Sequence, residues 1–192
     1  DCAMQAGIET KLVFVDDIGW DEDAQEFVDM ENEPIKNMFK LYPWEWMAKD
    51  NFGENILKDR NKTLWIEPAW KMILSNKAIL PILWKLYPDC PYLLPAYFDA
   101  DKLTQYVKKP LLSREGANIE MVKSNLTLQK TEGSYGKEGF IYQDLCTLPN
   151  FSDNYPVIGS WIIGQEPAGM GIREANSLIT DNKSRFVPHM IA

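Results

Sequence analysis

The chain has 192 residues, 45% of them hydrophobic and 25% charged, with a formal net charge of −8. Seven Trp, eight Tyr and eight Phe exclude a disordered acidic chain, because burying that much aromatic surface offsets the entropy of ordering. A chain this long buries roughly 70% of its unfolded surface, so one domain or two closely packed lobes are expected, and the acidic balance disfavours nucleic-acid backbone binding.

In chain order, Gly7 reads as the C-cap of a short opening helix, followed by Lys11 to Val15 (KLVFV) as a short buried strand. An acidic run follows: Asp16, Asp17, Asp21, Glu22, Asp23, Glu26, Asp29, Glu31 and Glu33. It is either a solvated surface loop or a docking surface for a polycationic amine. Ile35 to Leu41 reads as a second strand, and Trp44 to Leu57 as a helix with Pro43 suited to its first turn. In Pro68 to Pro88, Ser75 or Asn76 is a natural N-cap, and Ile79, Leu83 and Leu86 recur at helical spacing. Pro81 is tolerated only near a first turn, which places the helix start at about Leu80.

From Tyr92 onward the pattern changes to strands: Gln105 to Leu112, Ile119 to Val122, Gly139 to Leu145, Val157 to Ile163 and Gly169 to Arg173. Turn formers separate them at Ser113 to Gly116, Gly133 to Gly136, Pro149 to Asn154 and Gly164 to Pro167. A mixed α/β first half and a mostly antiparallel β second half together predict an α+β fold.

Cys2, Cys90 and Cys146 are widely spaced and form no Cys-x-x-Cys pair, which argues against a disulfide framework or a zinc site. They fit a reducing, cytoplasmic setting. Sequons at Asn61, Asn125, Asn150 and Asn182 read as chance matches. The longest apolar stretch, around Ile79 to Leu86, is too short to span a bilayer, and no membrane partner is expected. The sequence opens on Asp1 rather than on an initiator Met, so the expectation is a cut inside a larger protein.

The segment Lys108 to Asn118 carries chemistry. A strand bearing Lys109 runs into a polar loop with Arg114 and Gly116. Gly116 would let backbone N–H groups approach a phosphate, Lys109 would supply a point charge, and Arg114 a planar fork. A plain lysine-rich hairpin explains the same residues. A Walker motif is absent, since that needs Gly-x-x-x-x-Gly-Lys-Ser/Thr leading into a helix. His189, the single histidine, lies among apolar residues and cannot form a metal cluster alone.

Several segments in order carry a resemblance. They are Trp44-Glu45-Trp46; Glu67-Pro68-Ala69-Trp70; Ser75-Asn76-Lys77-Ala78-Ile79-Leu80-Pro81; and Lys109-Pro110 with Arg114, Gly116 and Asn118. Ile141-Tyr142-Gln143-Asp144-Leu145, Gly171-Ile172-Arg173 and Ser177-Leu178-Ile179 complete them. In this pattern the chain resembles the C-terminal part of the glutathionylspermidine synthase family, in style closer to stand-alone synthetase-like members than to the bifunctional amidase–synthetase.

That resemblance implies an ATP-grasp fold and an ATP-dependent ligase, which joins a carboxylate to an amine through an acyl phosphate. It implies that Lys77 and Lys109 hold ATP phosphates and that Glu115 and Gly116 sit in the phosphate-covering loop. Gln143, Asp144, Leu145 and Cys146 would be the adenine hinge, and Leu178, Ile179 and Thr180 would line the nucleotide site. Arg173 would stabilise charge at the transferring group, and Glu45 would face the amine. Residues 1–75 would belong to the larger substrate-side lobe, 76–148 to the ATP-clamping lobe, and 149–192 to a return to the larger lobe. The implied partners are a peptide-like carboxylate such as glutathione, an amine such as a polyamine, and the missing N-terminal half of the same protein. ATP implies Mg²⁺, whose ligands in this pattern lie upstream of Asp1, so no metal ligand is assigned. The rival reading is a nucleotide-binding or interaction module that retains the fold without catalysis.

Overall fold

A computed structural model describes residues 1–190. The chain divides into two compact units, Asp1–Ile73 and a second from Leu74 onward.

In the first unit, helix α1 (Cys2–Gln5) ends at Gly7, whose φ is +75°. Ile8 N–H donates to Ala3 O at 2.9 Å and Gly7 N–H to Met4 O at 3.0 Å, the paired bonds that close a helix C-terminus. The predicted strand at Lys11 to Val15 does not form. Among the described residues no strand pairs with it, Leu12 and Phe14 are 85% and 68% exposed, and Val15–Asp17 winds into a single 3-10 turn. An apolar run becomes a strand only where a neighbouring ladder satisfies its backbone.

The hairpin of β1 (Gly19–Asp21) and β2 (Glu26–Val28) lies within the acidic run. Two of its acids shape turns: Asp21 Oδ1 accepts from the amides of Asp23 and Ala24, and Asp29 Oδ1 from those of Glu31 and Glu33. Strands β3 (Asn37–Phe39) and β4 (Leu64–Ile66) pair in parallel. Between them the predicted helix from Trp44 to Leu57 is broken into α2 (Trp44–Met47) and α3 (Asn55–Lys58). Gly53 shows why. A Cβ there would lie 2.6 Å from Met47 O and 2.8 Å from Ala48 O, so the chain folds back onto α2 where only glycine fits. Trp20, Phe27, Trp65 and Trp44 pack edge to face at centroid separations of 5.0–5.5 Å to form this unit's aromatic core. Asp59, 1% exposed, accepts from Thr63 N at 3.0 Å and from Thr63 Oγ1 at 3.2 Å.

Helix α4 (Met72–Ser75) leads into α5 (Ile79–Leu86). Asn76 Oδ1 accepts from Ala78 N at 2.9 Å, and Pro81 sits in the first turn, where a missing N–H costs no helical bond. Strands β5 (Ala96–Tyr97), β6 (Gln105–Pro110), β7 (Glu120–Lys123), β8 (Leu126–Lys130) and β9 (Phe140–Asp144) form one antiparallel sheet in the order β5-β9-β6-β7-β8. A second antiparallel sheet has the order β10-β11-β12, from Tyr155–Ile163, Glu166–Ala175 and Arg185–Val187. Strands β1, β2, β4, β5, β8 and β12 are additions to the sequence reading. Every described helix ends by Leu86 and the later strands are antiparallel, so mixed content with segregated strands, the α+β pattern, is present. No described helix is long and apolar enough to cross a membrane.

Candidate functional site

The candidate site is built on one face of the five-stranded sheet. Val107 and Lys109 are two apart on β6, so their side chains share a face. Val107 pairs with Gln143 on β9 and with Met121 on β7, which puts those side chains on that face too. Val107, Met121, Leu145 and Ile179 are buried together, with Ile119 and Leu178 packed against them. The 178–179 segment therefore covers the apolar half of the face, while Lys109 and Gln143 supply its polar half.

Lys109 Nζ donates to Gln143 Oε1 at 2.7 Å. Burial pushes the Lys109 pKa below the usual lysine value, and the nearby charge of Lys77 pushes it further the same way. Lys77 precedes α5 and is tied to the strand end by its own backbone, Lys77 N donating to Leu111 O at 2.9 Å. Its Nζ donates to both Ser113 O and Ser113 Oγ at 3.0 Å. The Lys77 ammonium is close enough for its charge to act on Lys109, and an anion bound beside the pair would favour both charged forms.

The loop after β6 approaches the same region. Glu115 is exposed with φ +54°, and Gly116 has φ +71°. A Cβ on Gly116 would lie 2.6 Å from Thr180 O and 2.8 Å from Ile179 Cγ2, so the loop touches the 178–180 segment directly. Asn118 Nδ2 donates to Tyr135 O at 2.7 Å, while its buried Oδ1 has no hydrogen-bond partner among the described residues.

Gln143 and Asp144 lie in β9 between β5 and β6, with Asp144 N donating to Pro95 O at 2.8 Å. The ladder with β6 ends at Asp144. Beyond it Leu145 is buried and Cys146 exposed, so the chain leaves the sheet after Asp144.

Arg173 lies in β11 opposite Val157 on β10 and Phe186 on β12. Its Nη2 donates to the backbone carbonyl of Asp181, its guanidinium sits 5.4 Å from the Phe186 ring centre, and its buried Nε finds no partner among the described residues. Contact therefore runs from the Gly116 loop through Ile179 and Thr180 to Asp181 and Arg173. A cavity of about 260 Å³ lined by Glu174, Ser177, Asp181, Lys183 and Arg185, among others, opens beside that end. Glu45 belongs to the first unit, in α2. Ser113, Gln129 and Thr131 also contact these elements. The sequence reading passed over them because two of the three sit on or beside the unrecognised strand β8.

A family model described as glutathionylspermidine synthase preATP-grasp matches residues 1–192. A putative acid–amine ligase of Haemophilus influenzae is 44% identical over 199 residues, covering 98% of this chain and 50% of that protein. Trypanothione synthetase of Crithidia fasciculata is 31% identical, covering 96% of this chain and 32% of that protein. The bifunctional glutathionylspermidine synthetase/amidase of Escherichia coli is 32% identical, covering 97% of this chain and 34% of that protein. The chain thus spans half or less of the length of these relatives.

Proposed function

The chain belongs to the glutathionylspermidine synthase family, and from that premise we propose that it is the C-terminal part of an ATP-grasp ligase joining a carboxylate to an amine. The observation that carries the reading is the lysine pair. Lys109 lies buried at the polar half of one sheet face, beside a left-handed glycine loop and near Lys77, whose charge adds to burial in disfavouring the Lys109 ammonium, and an anion bound there would offset that cost. The triphosphate of ATP is the anion that the relatives' ligase and synthetase names suggest.

In this reading residues 76–148 clamp the nucleotide, with Lys77 and Lys109 on its phosphates and the Glu115–Gly116 loop above them. The backbone at Gln143 to Cys146 reads the adenine edge, and Leu178 to Thr180 close the opposite wall. The γ-phosphoryl group passes to a carboxylate oxygen as ADP leaves. The amine nitrogen then attacks the acyl carbon, losing a proton, and phosphate departs. Arg173 stabilises the charge that develops at the transferring group. Residues 1–75 and 149–192 form the substrate side, with Glu45 facing the amine. A thiol peptide such as glutathione and a polyamine are the substrates that the relatives' names favour. ATP chemistry of this class uses Mg²⁺ to neutralise phosphate charge. In this reading the residues that would hold it belong to the part of the parent protein outside this chain.

The test is calorimetric titration of ATP into the full-length parent protein and its Lys109→Ala variant. Loss of a charge-assisted contact should weaken binding by about 1.5–3 kcal/mol. Equal affinity in both proteins would remove Lys109 from the phosphate site. ATP binding with no amine-dependent phosphate release would favour the non-catalytic module.

A further inference from the structure

Two side chains outside the proposed nucleotide contacts tie its walls together. Gln129 lies in β8 opposite Met121, on the core face of the sheet, and its Oε1 accepts from Leu178 N at 3.1 Å. Thr131, two residues further on, accepts from Ile119 N at 2.9 Å through Oγ1 and donates through it to Gly116 O at 2.5 Å. Residues two apart on an extended strand project to the same side. One edge of the β7–β8 hairpin thus grips the glycine loop with one side chain and the 178–180 segment with the other. The two gripped segments also touch each other at Gly116, Ile179 and Thr180. The result is a closed triangle of contacts among hairpin, loop and segment.

A hydrophobic packing role alone does not account for this pattern. A glutamine amide and a threonine hydroxyl are placed where leucine or valine would fill the same volume, and each is spent on a backbone group of a different wall. We propose that Thr131 and Gln129 are positioning residues that fix the spacing between the Gly116 loop and the 178–180 segment, so that the two walls open and close as one unit. Only the ATP readout below rests on the nucleotide-site reading; the coupling of the walls does not.

The first measurement is amide hydrogen exchange in the purified chain at Ala117, Asn118 and Leu178, comparing wild type with Thr131→Val, Thr131→Ser, Gln129→Leu and Gln129→Glu. Thr131→Val should speed exchange about fivefold to tenfold at Ala117 and Asn118, the effect of losing one or two hydrogen bonds, and should do the same at Leu178. Gln129→Leu should act in the mirror sense, loosening the 116–118 amides from across the site. Thr131→Ser and Gln129→Glu, which keep the acceptor oxygens, should return exchange to near the wild-type rate. If each valine or leucine variant loosens only the wall it touches, the walls are independent and the proposal is overturned. Should Thr131→Val fail to fold, Gln129→Leu carries the same test from the other wall.

The second measurement is ATP affinity in the full-length parent. Thr131→Val should weaken it about tenfold and Thr131→Ser should restore it. Coupled exchange in a wild-type protein that binds no ATP would leave the positioning role standing and remove the nucleotide reading. ATP binding that is identical in wild type and Thr131→Val would overturn the role at this site.

Discussion

Replacing Gly116 with alanine tests the contact between the two walls of the site through stability alone. Two costs act there. A left-handed residue with a Cβ costs about 1–2 kcal/mol, and φ at Gly116 is +71°. The new Cβ would also lie 2.6 Å from Thr180 O and 2.8 Å from Ile179 Cγ2, an overpacking cost of about 1–3 kcal/mol, since the first of these atoms is backbone and cannot rotate away. Together the loss is about 2–5 kcal/mol. Two other glycines separate the terms. Gly164, with φ +58° and nothing within 4 Å of its Cβ position, carries the conformational cost only. Gly171, in β11 with nothing within 4 Å and no positive φ, carries neither, and alanine there should gain up to about 1 kcal/mol. At about 2–4 °C per kcal/mol for a chain of this size, thermal unfolding by circular dichroism resolves the series. Gly171→Ala should melt at or slightly above wild type, Gly164→Ala some degrees below, and Gly116→Ala lowest of the three. A Gly116→Ala protein that melts together with Gly164→Ala would mean that the loop does not press on the 178–180 segment.

Other expectations follow from single groups. In the full-length parent, Arg173→Ala should lower kcat by roughly 10²–10³-fold while changing the KM for ATP much less, because the charge it meets develops during phosphoryl transfer; a raised KM with kcat intact would make it a ground-state binder. Burial and Lys77 lower the Lys109 pKa in the folded state, so the unfolded chain binds the proton more tightly. This penalty is complete below the folded pKa and disappears as pH rises towards the ordinary value of 10.5. Stability measured by urea unfolding should therefore rise across that alkaline window in wild type relative to Lys109→Met, and parallel profiles would contradict the burial. Thr63→Val removes the hydroxyl whose single proton lies between Ile35 O at 2.9 Å and Asp59 Oδ1 at 3.2 Å, so it should cost about 1–3 kcal/mol in chemical denaturation. An unchanged midpoint would show that Asp59 is satisfied otherwise.

The legible parts of the fold were those whose signal is local. Strands β6, β9, β10 and β11 fall within or around their predicted ranges because turn formers bracket apolar runs at both ends. Helix α5 begins one residue before its predicted start, with Asn76 and Pro81 marking it. Strand β8 follows a turn, Ser124-Asn125, that carries no glycine to mark it in the sequence, although both residues have positive φ as a type I′ two-residue hairpin turn requires. KLVFV misled for the opposite reason: its composition favours a strand, but pairing is a tertiary property that five residues cannot encode. The division of Trp44 to Leu57 turned on Gly53, whose demand for space comes from the chain doubling back. The site shows the same limit. Lys109, Arg114 and Gly116 stand out by type and spacing and Lys77 only through the family resemblance, whereas Ser113, Gln129 and Thr131 are ordinary polar residues whose contacts depend on the distant backbone groups they reach.

The hydrogen bond between Leu178 and Gln129 joins residues 49 apart in sequence, whereas the β7–β8 and β10–β11 hairpins each turn over two residues. Closing a loop costs more entropy as it lengthens, about 0.6 kcal/mol per doubling, and hairpins of this kind form in about 1–10 μs. The order of assembly follows from those separations: the hairpins come first and the seam between them last, after the folding barrier is crossed. In a stopped-flow chevron, Gln129→Leu should therefore steepen nothing and shift only the unfolding limb upward, leaving the refolding rate as it is in wild type. A newly made chain would pass through a stage in which both hairpins exist and the 178–180 segment is not yet joined to Gln129.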